Sequence, residues 1–246
     1  MPRKRHKTVE DVRPHLVASV DNLERAFTSW FLQDYVRQNS TAFEEITSEH
    51  KSYFMVNHIV WQSTHSCILS LAKIFDTSKN VKSLAKLCGV NLNSDQKLAN
   101  HVAKQCHGYC DFCDRKNWVE NSKVHTSIQM LPDKVYEECI RFELQQQNIC
   151  KLITCWQTRV KNLRQSDELK PISDFRSTHV AHNGTLQNIE LAYPKLESSI
   201  EKCSKVIADG FFFLQGQDTR EKIERGRSVA KESALEFWGT FLKGLS

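Results

Sequence analysis

Apolar residues recur at intervals of three and four along most of the 246-residue chain, the period that puts them on one face of an α-helix. The first such run holds Val9, Val12, Leu16, Val20, Leu23, Phe27 and Trp30. Thr8 is placed to cap it, and Glu10 and Asp11 fall in its first turn, where the helix dipole favours negative charge. Pro14 lies early enough either to kink this helix or to move its start forward. Ser40 is expected to cap the next helical region, whose strongest part is Phe54, His58, Trp61, His65, Ile68, Ala72 and Phe75. Two histidines fall in that stripe. They are either core residues bonded to neighbouring groups or the lining of a polar cavity.

Further on, residues 83–88 and 95–107 read as short helices joined by turns rich in Asn and Ser. Pro132 then opens a long helix, since proline is favoured in a first turn, and Val135, Cys139, Phe142, Ile149, Leu152, Trp156 and Leu163 hold its period. Asp167 to Pro171 interrupt it, and Pro171 restarts a helix. Tyr193-Pro194 marks another boundary, followed by Leu196, Ile200, Cys203, Ile207, Phe211 and Leu214 on one face. A last helix is predicted from Asp218, with Ile223, Ala230, Ala234, Phe237 and Phe241 inward. Strand-like alternation is missing throughout. The pattern predicts an all-α fold, an elaborated helical bundle, with residues 1–7 as a basic flexible tail and 8–246 as a single helical domain.

Composition narrows the function classes. Hydrophobic residues make up 40% and charged residues 26%, the balance of an ordinary globular chain. A net charge of +5 is compatible with a polyanionic partner. Arg3-Lys4-Arg5-His6-Lys7 is either a solvated end or an arm for phosphate groups. The longest apolar runs fall short of a membrane span and no secretory segment follows the basic start, so a cytoplasmic protein without a membrane partner is expected. Glycines number eight and are scattered, which leaves no phosphate-binding loop and no nucleophile elbow.

The densest chemistry lies in Asp174-Phe-Arg-Ser-Thr-His-Val-Ala-His-Asn-Gly184. On a helix Arg176 and His179 are neighbours and His182 follows His179 by three, so the three side chains can line one edge. Asn183-Gly184 supplies residue types that tolerate the left-handed conformation ending a helix. The cluster therefore reads as a helix C-terminus, where the dipole favours cations.

The run Arg176-Ser177-Thr178-His179-Val180-Ala181-His182 resembles the arginine-to-histidine motif of HEPN domains, in particular that of the abortive-infection AbiU-type family. There an asparagine, aspartate or histidine commonly stands where this chain has Ser177. A second stretch is similar to that family's aromatic, tryptophan- and leucine-rich helix: Phe54 to Trp61, then Leu69 to Phe75-Asp76, then Ser83, Leu84 and Leu87. The resemblance implies a HEPN-like bundle with a core at about 40–215, a Cys-containing insertion at about 77–131 and a C-terminal helix at about 217–245. It also implies an endoribonuclease of toxin or phage-defence type. RNA supplies its own nucleophile, the 2′-hydroxyl, so cleavage needs a group to take its proton, one to protonate the leaving oxygen and a fixed cation for the phosphate. On that reading His182 is general base or acid, Arg176 and Ser177 contact the RNA, and His179 assists. No cofactor is needed. A homodimer would bring two copies of the motif together, and a cognate antitoxin is a further expected partner. The other reading is a non-catalytic helical module for dimerisation or for binding RNA or a protein.

Nine cysteines, odd in number and irregular in spacing, read as reduced thiols rather than a disulfide framework. Cys106, Cys110 and Cys113 have the Cys-x3-Cys-x2-Cys spacing of an iron–sulfur site, but the barrel such chemistry needs is not in the pattern. Zinc completed by His101, His107 or His125 is the weaker alternative to simple packing, because the same spacing is one face of a helix.

Overall fold

The computed structural model describes residues 9–47, 52–88, 149–174 and 193–244. These residues are helical with short turns, and no strand occurs among them, so the all-α class read from the periodicity holds. The elements are α1 (Val9–Gln38), α2 (Ser40–Thr47), α3 (Ser52–Ile74), α4 (Leu84–Cys88), α5 (Ile149–Arg164), α6 (Tyr193–Gln215) and α7 (Arg220–Lys243). No helix of the described residues is long and apolar enough to cross a membrane.

The bundle is built around α1. Its inward stripe is the one the sequence predicts: Val12, Leu16, Val20, Leu23, Phe27 and Trp30 are all buried. Pro14 sits inside α1 within its first two turns, where few intrahelical donors are lost. Helix α3 runs antiparallel to α1, as Thr64 Oγ1 donates to Gln33 Oε1 near one end and the Ser83 amide donates to His15 Nδ1 (3.1 Å) near the other. By contrast α7 runs parallel to α1, with Glu24 beside Gly226 and the Trp238 indole N–H donating to Leu32 O (2.8 Å). Helices α5 and α6 are antiparallel: Trp156 Nε1 donates to Val206 O (2.8 Å), and Glu168, beyond the end of α5, accepts from Lys202 Nζ (2.6 Å).

One large core joins α1, α3, α4, α5, α6 and α7. A smaller cluster of Phe43, Val56 and Trp238 closes the end of the bundle where α2 turns between α1 and α3. In the large core Trp156 is fully buried and lies against Gly210, at which an added Cβ would stand 2.7 Å from Trp156 Cζ2 and 3.0 Å from Leu16 Cδ2. In an open helix Gly→Ala is favourable by about 1 kcal/mol. Here the sign reverses. Gly210→Ala is expected to lose about 1–3 kcal/mol through overpacking, and a midpoint in urea at or above that of the wild type would refute the packing described.

Local chemistry explains several boundaries. Helix α3 stops at Ile74, and the Asp76 carboxylate accepts the Ser78 amide (2.8 Å) while Ser83 Oγ donates to Asp76 O, so the turn to α4 is tied from both sides. The predicted break after α5 occurs in the turn at 165–169, and helix resumes at 170–174 with Leu169 and Ile172 buried. Tyr193 opens α6, and each of Leu196, Ile200, Cys203, Ile207, Phe211 and Leu214 is buried.

Three expectations change. Ser40 is the first residue of α2 rather than its cap, because Asn39 takes that place and its carbonyl accepts the Phe43 amide (3.1 Å). In α7 the inward aromatic is Trp238, and Phe237 is 42% exposed; the indole offers a larger apolar surface and a donor for Leu32 O. In α3 the stripe holds only at its C-terminal end, where Ile68, Ala72 and Phe75 are buried. Phe54 is 78% and Trp61 43% exposed, and His58 is exposed with them. A stripe of period 3.5 drifts around a helix of 3.6 residues per turn, and α3 instead buries Val56, Ser63, Cys67, Ser70, Leu71 and Ile74 beside Ile68 and Ala72. Neither histidine is a core residue.

The helix read from Pro132 is described from Ile149 onward, where Ile153, Trp156, Val160 and Leu163 are buried. Its earlier part and the helix expected at 95–107 lie outside the described residues.

Candidate functional site

Arg176, Ser177, His179 and His182 lie outside the described residues, as do Cys106, Cys110 and Cys113 and the candidate zinc ligands His101, His107 and His125. What is described is how the chain arrives at the arginine–histidine segment and leaves it. On the way in, Lys170 N–H donates to Ser166 O (2.9 Å), and the buried Leu169 and Ile172 anchor the helical turn at 170–174. Glu168 at the start of this turn pairs with Lys202 and accepts from Ser198 Oγ (3.4 Å). Beyond the segment, α6 runs from Tyr193. The approach is thus fastened to the first half of α6, the helix on which the segment returns.

That half of α6 borders a cleft of about 420 Å³ between α1 and α7. Glu197 of α6 faces Trp30, Asp34 and Tyr35 of α1 and Arg227 and Lys231 of α7 across it. Asp34 is buried, and its carboxylate is held within α1: Oδ1 accepts from Arg37 Nη2 (2.9 Å) and Nε (3.2 Å), and Oδ2 from Gln38 Nε2 (2.6 Å). Arg227 lies 3.7 Å from Glu201. Charges of both signs alternate around the opening, so the cleft selects no single class of ion.

A second charged cluster closes the far end of α6. The buried Asp209 carboxylate lies 3.6 Å from Arg159 of α5 and 3.7 Å from Arg220 of α7. The sequence reading missed this clamp; a carboxylate inside the apolar run Val206–Leu214 signals a paired buried charge, though not that Arg159 and Arg220 are its partners.

The α3 histidines stand in a ring ladder. The His58 and Trp61 rings stack at 6.3 Å and those of Trp61 and His65 approach to 4.0 Å, while His65 Nδ1 lies 3.1 Å from Trp61 O. Among the described residues no group of three or more His, Cys, Asp or Glu side chains is arranged to hold a metal ion.

Among the described residues Cys67, Cys88, Cys155 and Cys203 are free thiols; Cys67, Cys88 and Cys203 are buried and Cys155 is partly so. Burial pushes the Cys88 thiol up to about 12, against the lowering effect of Lys161 and Arg164. It raises Cys67 and Cys203 as well. A raised value keeps the nucleophilic thiolate scarce at neutral pH. Peptide mapping after brief iodoacetamide treatment at pH 8 is therefore expected to find these three unmodified in the folded protein and modified once it is denatured. Rapid labelling of Cys67 in the native state would contradict the packing of α3 on α1.

The chain matches no protein-family model, no curated protein and no solved structure.

Proposed function

We propose that this chain is a HEPN-like endoribonuclease that cleaves RNA without a metal ion. The observation that carries the reading is the spacing of Arg176, His179 and His182 in a chain whose described residues form a helical bundle. The tie of Glu168, ahead of the segment, to Lys202 of α6 supports it, because a catalytic arginine and histidine need a fixed frame.

In this reaction one histidine, His182, takes the proton of the 2′-hydroxyl, and the freed oxygen attacks the adjacent phosphorus. The 5′-oxygen leaves as it gains a proton from a second imidazole, and the product ends in a 2′,3′-cyclic phosphate. Arg176 neutralises charge on the phosphate oxygens with its fork of donors. Ser177 contacts the backbone and His179 positions or assists. Two copies of the segment, brought together in a homodimer, would supply both imidazoles. The net charge of +5 favours a polyanionic substrate, and a cytoplasmic location with a cognate antitoxin fits a ribonuclease of this kind.

A second reading, a non-catalytic module for dimerisation or binding, is favoured by the exposed ring ladder of α3. Incubation of the purified protein with a labelled RNA pool in excess EDTA separates the two. Cleavage with cyclic-phosphate ends supports the ribonuclease, and intact RNA together with retained binding or self-association supports the module.

A further inference from the structure

From Ser52 to Ala72 the chain contains no Asp, Glu, Lys or Arg. Such a run is ordinary in a helix buried on all sides, but the outer face of α3 is open. Tyr53, Phe54, Met55 and Trp61 are 47%, 78%, 55% and 43% exposed, half of the large hydrophobic residues exposed among those described. Asn57, His58, Gln62 and Ser66 are exposed beside them. Aromatic and Met side chains without charge are the composition of interface cores, and an open apolar stripe of this kind marks a contact surface.

We infer that this face of α3 binds the same face of a second copy of the chain, the two helices crossing antiparallel about a two-fold axis between His58 and Trp61. The spacing of the stripe argues for this occupant. Phe54, His58, Trp61 and His65 are separated by four, three and four residues, a series that reads the same in both directions. Reversed upon itself, it sets Phe54 opposite the copy's His65 and His58 opposite the copy's Trp61, and each facing pair joins an aromatic ring to an imidazole. A two-fold contact must be complementary to itself. A charged residue close to the axis would meet its own copy with like charge, and the run from 52 to 72 has none.

Hydrogen bonding adds a second argument. The Trp61 indole N–H has no partner among the described residues, and an indole donor at an interface ordinarily finds one. An unprotonated imidazole nitrogen of the copy's His58 is the acceptor that the two-fold would bring to it. With four rings and a Met per copy, the face offers on the order of 600 Å² to each partner, at the lower end of what a specific interface buries. The other face of α3 is already occupied by α1, so pairing requires no rearrangement of the core.

The inference goes beyond the ribonuclease reading and stands apart from it. Sedimentation velocity at pH 8 over a range of protein concentrations tests it, with wild type compared to Trp61→Glu, Phe54→Glu and Val229→Glu. Val229 is 55% exposed on α7 and serves as the control. Wild type and Val229→Glu are expected to sediment as dimers. Trp61→Glu and Phe54→Glu are expected to be monomers with unchanged helical circular dichroism and melting temperature, as both side chains stand outside the core. A monomeric wild type, or a dimer that survives both α3 substitutions, overturns the assignment. RNA cleavage by a wild type that dimerises through another surface would leave the ribonuclease reading intact, and a dimer of the expected kind that cleaves no RNA would leave this interface intact.

Discussion

Trp156→Ala is expected to destabilise the protein by about 3–5 kcal/mol, a large share of the roughly 5–15 kcal/mol that holds a domain folded. The indole is fully buried, and three elements depend on it. Its ring fills the space over Gly210, its N–H satisfies Val206 O within α6, and its own helix α5 carries Ile153 and Val160 into the same core. Alanine opens a cavity between α5 and α6, and the pairs Glu168–Lys202 and Arg159–Asp209 resist its collapse by holding the two helices in place. Trp156→Phe separates the contributions. It retains much of the packing and removes the donor, with an expected loss of about 1–2 kcal/mol from the unsatisfied carbonyl and the reduced ring. Urea denaturation followed by circular dichroism checks both, and a loss below about 1 kcal/mol for the alanine variant would show that the ring is not the keystone of this core.

The second large effect concerns Arg176 and His182. If the chain cleaves RNA as proposed, each of Arg176→Ala and His182→Ala is expected to lower the cleavage rate on the order of 100- to 10,000-fold, with EDTA without effect on the wild type. His179→Ala is expected to cost less, since it assists rather than transfers the proton. Use of one imidazole as base and another as acid predicts a bell-shaped dependence of rate on pH. His182→Ala removes both roles from a symmetric dimer at once, so its double variant with Arg176→Ala is expected to lose little more than the larger single effect. Wild-type activity that both alanine variants retain, or that EDTA abolishes, would refute the assignment. Circular dichroism of each variant distinguishes a lost reaction from a lost fold.

Much of the fold was legible because helices announce themselves by period. The inward residues of α1 and α6 were read correctly residue by residue, as were the break near Pro171 and the start at Tyr193, since spacing, proline and turn chemistry all act locally. The candidate site is a different matter. Spacing can gather Arg176, His179 and His182 on one edge of a helix, but their surroundings belong to other elements. Those residues lie outside the described part of the chain, and what is on view ahead of them is the tie of Glu168 to Ser198 and Lys202 of α6.

Local pattern was enough to establish that the chain is helical and which residues of α1 and α6 face inward, Cys203 among them. Those properties depend on the order of side chains along a helix and on their transfer from water. Only the tertiary structure decided which face of α3 packs. Periodicity offers Phe54, His58, Trp61 and His65 as a stripe as readily as Val56, Ser63, Cys67 and Ser70. The bundle buries the second together with Leu71 and Ile74, and the rings of the first are left outside. Likewise Trp238 rather than Phe237 fills the smaller core, and Trp156 and Leu16 leave Gly210 no room for a methyl group. Which surface is open, and therefore available to a partner, depends on what the neighbouring helix leaves uncovered, and no window of sequence contains that neighbour.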